Sequence, residues 1–209
     1  MNKQAEAWAT NFGEEYTKRN LLTLEEMEQL HVKYYGYSRT KINEQFFNEL
    51  NRNIRILEVG CNIGTQLTCL QKMGFVNLYG IEISPFACEI AKAKTMNVNI
   101  VRANALDIPF KDNYFDLVFT SGVLIHIGEN ELYSVMKEIY RCSRRYIFGF
   151  EYFSEKRTEI NYRGNKDLLW KDNYPKLYTT LFSELKIIRL KLYKYIENDN
   201  QDIAYLLTK

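Results

Sequence analysis

One stretch near the start of the second quarter of the chain combines residues that could hold a small polar ligand. An apolar run ends in the acid Glu58, and Gly60 and Gly64 follow on either side of Cys61 and Asn62. Glycine lets the main chain turn sharply and lets a ligand approach bare backbone. A buried carboxylate is costly unless it meets a cation or hydrogen-bond donors, so we expect Glu58 to have such a partner.

Two further positions carry polar side chains at the ends of predicted strands. Glu82 lies 22 residues after Gly60, and a carboxylate there can accept hydrogen bonds from both hydroxyls of a ribose. The alternative is a surface acid that caps the next helix. Asn104, with the main-chain N–H of Ala105, could bind the edge of an adenine. Because the carboxyl ends of parallel strands meet at one edge of a sheet, these positions should converge on one crevice.

The elements that position these residues alternate between strand and helix from residue 54 onward. This alternation predicts an α/β fold, with a parallel sheet covered by helices on both faces. Ser84 and Pro85 give a helix-start signal directly after the second strand. A polar turn joins the last two predicted strands, which must therefore be antiparallel. The predicted strands are 54–59, 77–82, 99–102, 115–120, 146–152, 186–195 and 203–208.

The 209 residues are predicted to form a single domain. Residues 1–50 should be a helical cap, with helices over 4–12, 24–34 and 39–50; a capping box of Thr23 and Glu26 begins the second. Residues 54–152 should be the ligand-binding core. Residues 153–182 are predicted to be an irregular segment on the acceptor side, and 183–209 the closing strand pair.

The composition excludes several function classes. The net charge is +2, which is too small to favour nucleic-acid binding through bulk electrostatics. The polar N-terminus and the lack of a long apolar run predict a cytoplasmic protein that does not enter a membrane. The four cysteines are irregularly spaced without a C-x-x-C pair, so we expect reduced thiols and no metal site.

The glycine pattern separates the two ligands that contain both ribose and adenine. A dinucleotide needs G-x-G-x-x-G to hold its pyrophosphate, but Asn62 stands at the middle glycine. Glu58 would also repel a pyrophosphate. S-adenosylmethionine carries no phosphate, and its methionine end has an ammonium and a carboxylate. The residues therefore favour S-adenosylmethionine as the ligand.

Four motifs in this order resemble those of class I S-adenosylmethionine-dependent methyltransferases. They cover about residues 54–127 and are EVGCNIG (58–64), GIEISP (80–85), NALDIPF (104–110) and FDLV (115–118). The resemblance implies a Rossmann-like sheet of seven strands with the last strand antiparallel. It also implies S-adenosylmethionine as the methyl donor, with S-adenosylhomocysteine as product. Ile83 and Ser121 would then contact the donor too.

A narrower resemblance covers other parts of the chain. These segments are similar to the family of pseudaminic acid biosynthesis-associated methylases, which implies a role near nucleotide-sugar or surface-glycan assembly. They are FGEEYTKRN (12–20), GYSRT (36–40), TSGVLIHI (120–127), EY (151–152) and YRG (162–164).

Four residues are candidates for catalysis or for binding close to the transferred methyl group. His126 follows the fourth strand and could act as a general base, or it could simply pack against the sheet. Glu151 ends the fifth strand and could orient an acceptor, or be a surface acid. Tyr16 and Arg39 could close over the donor, with Arg39 pairing its carboxylate; a surface salt bridge is the alternative for Arg39.

The sequence thus predicts a methyltransferase that acts on a small, sugar-derived acceptor, in particular a nucleotide-activated or amino sugar. Methylation of RNA or protein is a rival within the same class. A non-catalytic partner subunit that only binds the donor is a rival from another class, and a dinucleotide-dependent oxidoreductase is a more distant one. The oligomeric state is left open, with a homodimer as one option.

Overall fold

The computed structural model describes residues 3–164 and 166–209. Nine strands form within this part of the chain, and seven of them make one sheet in the order β3-β2-β1-β4-β5-β9-β8. The strands are β1 (Arg55–Val59), β2 (Asn77–Glu82), β3 (Asn99–Arg102), β4 (Phe115–Ser121), β5 (Ser143–Tyr152), β6 (Thr158–Glu159), β7 (Trp170–Lys171), β8 (Lys186–Lys194) and β9 (Gln201–Thr208).

The sheet confirms the predicted fold class. The strands β1 to β5 pair in parallel, while β9 is antiparallel to both β5 and β8. The order reverses between β1 and β4, and the carboxyl ends beside such a reversal form the crevice in which open α/β sheets bind ligands. The fold is therefore the Rossmann-like, mostly parallel sheet that the sequence predicted.

Eight α-helices surround the sheet in the described residues. The helices α3 to α6 contribute to the core on one face, and α7 and α8 to the core on the other. They are α1 (Lys3–Ala9), α2 (Asn11–Arg19), α3 (Leu24–Tyr35), α4 (Arg39–Phe47), α5 (Thr65–Lys72), α6 (Pro85–Lys94), α7 (Glu129–Cys142) and α8 (Tyr174–Leu181). None of these helices is both long and apolar enough to cross a membrane.

The N-terminal cap differs from its prediction at the first and last helices, because the first helical stretch continues to Arg19 and α4 ends at Phe47. The helix expected over 4–12 is divided at Thr10, whose backbone is not helical and whose hydroxyl donates to the Glu6 carbonyl at 2.8 Å. The two short helices then pack closely at Gly13, where a Cβ atom would lie 1.8 Å from the Trp8 carbonyl oxygen. Only glycine allows this approach, and it places Trp8 beside the carboxyl ends of the strands.

The segment predicted as irregular, 153–182, contains more regular structure than expected. It includes β6, β7 and α8. Asn173 caps the start of helix α8, because its side chain accepts a hydrogen bond from the Lys176 N–H, and Pro175 lies in the first turn. This is an ordinary helix-start signal, and the sequence analysis overlooked it. Tyr174 and Tyr178 of this helix are buried in the core beside α7.

Candidate active site

The loop between β1 and α5 takes the backbone conformation that its glycines suggest. Gly60, Asn62 and Gly64 have φ angles of 71°, 45° and 76°, in the left-handed region. Asparagine tolerates this region better than other residues with a side chain, which explains why Asn62 can replace a glycine. The N–H groups of Gly60 and Cys61 donate to the Ile81 carbonyl at 2.8 and 3.0 Å, so the loop is tied to β2.

Glu82 connects this loop to the end of β2. Its carboxylate accepts hydrogen bonds from the N–H groups of Asn62, at 2.9 Å, and Ser84, at 2.8 Å. Burial raises the pKa of Glu82 above its ordinary value. The hydrogen bonds from these N–H groups oppose that rise without cancelling it. Each oxygen has a second lone pair, so the carboxylate can still accept from a ligand hydroxyl.

The third strand end holds Asn104 and Ala105 near Glu82. The Ala103 N–H donates to the Glu82 carbonyl at 2.9 Å. The side-chain oxygen of Asn104 accepts from the Leu106 N–H at 3.0 Å, which fixes the turn and leaves the amide NH₂ as a donor.

These elements enclose a cavity of about 970 Å³, a volume that includes space open to solvent. The cavity lies at the carboxyl ends of the parallel strands, with α1 and α2 on its other side. Eight of the residues predicted to bind the donor line it, together with the predicted catalytic residue His126; the eight are Tyr16, Gly60, Asn62, Glu82, Ile83, Asn104, Ala105 and Ser121.

Aromatic rings form the end of the cavity next to α1. The ring of Trp8 lies 4.5 Å from that of His126 and 5.2 Å from that of Tyr16, between centroids. Burial raises the pKa of Tyr16 to about 12, so its phenol remains protonated at neutral pH. The indole N–H of Trp8 is buried without a hydrogen-bond partner among the described residues.

The hydrogen bond of His126 determines which ring nitrogen carries the proton. Nδ1 lies 2.7 Å from the Leu168 carbonyl oxygen. A carbonyl can only accept, so Nδ1 is the donor and Nε2 keeps its lone pair. Burial lowers the pKa of His126 to about 4, so the ring is neutral at pH 7. His126 can therefore accept a hydrogen bond from an acceptor substrate, but it is a weak base.

Glu151 does not line the cavity. It is buried, and its carboxylate accepts from the N–H groups of Val123, at 3.0 Å, and Ile125, at 3.4 Å. These bonds hold the turn after β4, which carries His126. Burial raises the pKa of Glu151 to about 7. The structure thus gives Glu151 a positioning role beneath the turn, whereas the predicted contact with the acceptor stays a prediction.

Four of the residues predicted to bind the donor also lie outside the cavity lining. Arg39 is buried with its guanidinium 4.5 Å from the Phe150 ring centroid, and its Nε and Nη2 have no partner in the described structure. Glu58 is buried near it; burial raises its pKa, and the charge of Arg39 opposes that rise. Cys61 and Gly64 belong to the loop but do not face the cavity.

Among the lining residues that the sequence analysis missed, three carry an aromatic ring, an amide or a carboxylate. Trp8 and Gln4 come from α1, and Glu131 from the first turn of α7. The Gln4 side chain donates to the His126 carbonyl at 2.7 Å and accepts from the Gly128 N–H at 2.8 Å. No local signal marks these contacts, because they join segments more than 120 residues apart.

Residues 57–146 match the family described as a methyltransferase domain. The match begins within β1 and ends within β5, and it includes the glycine loop, Glu82 and Asn104. The part of this chain that holds the glycine loop and the strand-end residues is therefore similar to methyltransferase domains.

Known proteins show the same relationship. A sterol 4-C-methyltransferase of Caenorhabditis elegans is 34% identical over 99 residues, which are 44% of this chain and 29% of that protein. An O-methyltransferase of Aspergillus nomiae is 33% identical over 84 residues, 37% of each chain. The chain thus spans about a third of the length of these relatives.

A solved structure extends the likeness to the whole fold. The magnesium protoporphyrin IX methyltransferase of Synechocystis, solved with bound S-adenosylmethionine, has a TM-score of 0.72 to this chain. The two are 13% identical, and the alignment covers 100% of this chain and 98% of the other. At this identity, the comparison supports the fold alone.

The residues present fit S-adenosylmethionine. Asn62 lines the cavity, and its side-chain oxygen is buried without a partner in the described structure; this acceptor would suit the ammonium of the methionine end. Glu82 would accept from the ribose hydroxyls, and Asn104 would donate to the adenine. When bound, the donor supplies an activated methyl group on a sulfonium.

Proposed function

We propose that the protein transfers a methyl group from S-adenosylmethionine to a small acceptor, in particular an amino or nucleotide-activated sugar. The observation that carries this proposal is the cavity itself. It joins the donor-type residues Glu82, Asn62 and Asn104 to an end walled by Trp8 and His126. A single cavity of this kind can hold donor and acceptor in line.

The covering of the cavity supports a small acceptor. Helices α1 and α2 lie over the carboxyl ends of the parallel strands, and a concave site covered in this way suits a small molecule. The curated relatives are methyltransferases, and one of them is named for a sterol. The sugar class is supported by the narrower resemblance, which includes residues 12–20 of α2 and 120–127 at the cavity.

Each residue then has a distinct task. Glu82 and Asn104 orient the donor, and Ser121 and Gly122 close the cavity at the end of β4. His126 accepts a hydrogen bond from the acceptor at Nε2. Transfer is an in-line displacement, so the main contribution of the protein is positioning. The cytoplasmic location is proposed on the four cysteines, which are all buried free thiols.

The experiment begins with binding of S-adenosylhomocysteine, measured by calorimetry. Purified protein is then incubated with methyl-labelled S-adenosylmethionine and a cell extract divided by size. We expect binding, and we expect label in the small-molecule fraction that is lost in Glu82→Ala.

The other outcomes identify the rivals. Label confined to macromolecules would replace a small acceptor by protein, RNA or finished glycan. Binding without label in any fraction would favour a partner subunit that only holds the donor. Absence of binding would contradict the proposed function and revive the dinucleotide reading.

A further inference from the structure

The side chains that line the cavity carry negative charge only. They include two carboxylates, Glu82 and Glu131, and no lysine or arginine among the residues that the structure describes. His126 adds no positive charge, because burial keeps its ring neutral at pH 7. A phosphate or carboxylate on the acceptor would therefore find no cation within the cavity, and two like charges would oppose it.

Of the two carboxylates that line the cavity, Glu131 is the one not assigned to binding the methyl donor. Among the described residues, its side chain makes no ion pair and no hydrogen bond, whereas Glu82 is engaged by two N–H groups. A Cβ atom on Gly128 would lie 3.6 Å from Glu131 Oε2 and 3.1 Å from Gln4 Oε1. Both side chains thus lie close to Gly128, beside the turn that carries His126.

The groups around this carboxylate suit an amine better than a hydroxyl. A hydroxyl must lose its proton to become a good nucleophile, and His126 is too weak a base to take it efficiently. Glu151 is buried under the turn and does not reach the cavity. A neutral amine already has a lone pair. Its ammonium form is attracted both by a carboxylate and by the faces of Trp8 and Tyr16.

We propose that the acceptor carries an amine, which Glu131 binds as its cation at the α1 end of the cavity, and that the protein is an N-methyltransferase. This inference rests on the proposed function and narrows it. Of the two sugar classes considered, it selects the amino sugar and rejects the nucleotide-activated sugar, whose diphosphate would have no cationic partner in the cavity.

The proposed reaction conserves atoms and charge. The ammonium releases one proton to solvent, and the neutral amine directs an N–H to His126 Nε2. The nitrogen lone pair forms the new N–C bond, while the C–S bond breaks and its electron pair stays on sulfur. Positive charge passes from sulfur to nitrogen.

The first test separates acceptors by charge before the assay. Small molecules from a cell extract are divided into cation-exchange-retained, unretained and anion-exchange-retained pools, and each receives protein and methyl-labelled S-adenosylmethionine. We expect label in the cation-exchange-retained pool. Label confined to either of the other pools would overturn the amine proposal while leaving methyl transfer intact. Donor binding without label in any pool would contradict both.

The second test uses matched variants on one helix turn. Glu131→Gln should raise the KM for the amine pool about tenfold, because a charge-assisted hydrogen bond is lost. Glu129→Gln changes the same first turn of α7 at an exposed residue outside the cavity, and should leave KM unchanged. A purely structural role for Glu131 would lower the melting temperature without changing KM, and that result would contradict the proposal.

Discussion

At the scale of single residues, Asn62 shows why a departure from the glycine pattern is compatible with the site. Its backbone takes the left-handed conformation at φ 45°, and its N–H donates to Glu82 at 2.9 Å. A glycine could adopt the left-handed conformation equally well. The side-chain oxygen, which is buried without a partner in the described structure, is what the asparagine adds.

Glu82 gives the first prediction at this scale. Glu82→Gln retains one oxygen acceptor but loses the negative charge and one of two acceptor positions. We expect the affinity for S-adenosylhomocysteine to fall about tenfold, or about 1.4 kcal/mol, as measured by calorimetry. Glu89→Gln, at an exposed residue of α6, is the control and should bind normally. Equal affinities of the two variants would exclude Glu82 from the donor site.

His126 gives a prediction about pH. Its pKa is about 4 in the folded protein and about 6.5 when unfolded. Below pH 6.5 the histidine is protonated in the unfolded state but stays neutral in the folded state. The free energy of unfolding therefore decreases as the pH falls from 6.5 towards 4. At pH 5 the loss should be about 2 kcal/mol relative to pH 7. His126→Gln should lack this part of the loss in urea denaturation.

The comparison must be between variants, because buried carboxylates act in the opposite direction. Burial raises the pKa of Glu151 to about 7 and that of Asp202 to about 6, so their protonation stabilises the folded state as the pH falls. His31 is a matched control, since burial, with Arg39, lowers its pKa to about 4 away from the cavity. His31→Gln should alter the pH profile similarly without affecting donor binding. An unchanged profile for His126→Gln would contradict the pKa shift.

At the scale of elements, α1 is held over the cavity largely by one side chain. The Gln4 side chain donates hydrogen bonds to the carbonyls of His126 and Asp167, at 2.7 and 3.2 Å. It also accepts one from the Gly128 N–H, at 2.8 Å. The helix has only seven residues, which is too short to be stable alone. Its position therefore depends on these bonds and on the packing of Trp8.

Gln4→Ala should loosen this helix. We expect S-adenosylhomocysteine to dissociate about tenfold faster, since hydrogen bonds worth about 1 kcal/mol each are lost. Stopped-flow fluorescence of Trp8 can measure the rate. Glu6→Gln, exposed on the same helix, should dissociate like the unmodified protein. If S-adenosylhomocysteine also dissociates from Gln4→Ala at the rate of the unmodified protein, α1 does not restrict its release.

At the scale of the whole molecule, one buried carboxylate ties the N-terminal helices to the C-terminal strands. Asp202 of β9 accepts hydrogen bonds from the hydroxyls of Tyr35, at the end of α3, and Tyr195. The Ile196 N–H also donates to the Tyr34 carbonyl at 2.8 Å. These contacts join the end of α3 to β9 and to the turn between β8 and β9.

Tyr35→Phe tests this connection. Removing the hydroxyl leaves Asp202 with one donor fewer, and a buried group left unsatisfied costs about 1–3 kcal/mol. We expect that loss of unfolding free energy, with circular dichroism and tryptophan fluorescence following one urea transition. Tyr34→Phe is the control, because its hydroxyl makes no hydrogen bond among the described residues. Two separate transitions would show that the cap and the sheet unfold independently.

The fold and the meeting of Glu82, Asn62 and Asn104 at one cavity could be predicted because the signals for them are local. An apolar run of five residues, a glycine turn and an acid at a strand end each act over a few neighbours. The regular alternation of such segments then restricts the sheet to very few topologies. Glu82, Asn62 and Asn104 were found this way, as were the strands of the sheet to within a few residues at their ends.

The amino-acid sequence by itself determined a Rossmann-like α/β sheet, an S-adenosylmethionine-type loop and a modest net charge. Only the tertiary structure decided that Gln4 and Trp8 cover the cavity, that Glu131 is its unused carboxylate, and that Glu151 supports a turn from below. The physical reason is sequence separation. A side chain 120 residues away reaches the site through packing and long-range hydrogen bonds, and neither leaves a periodic pattern along the chain.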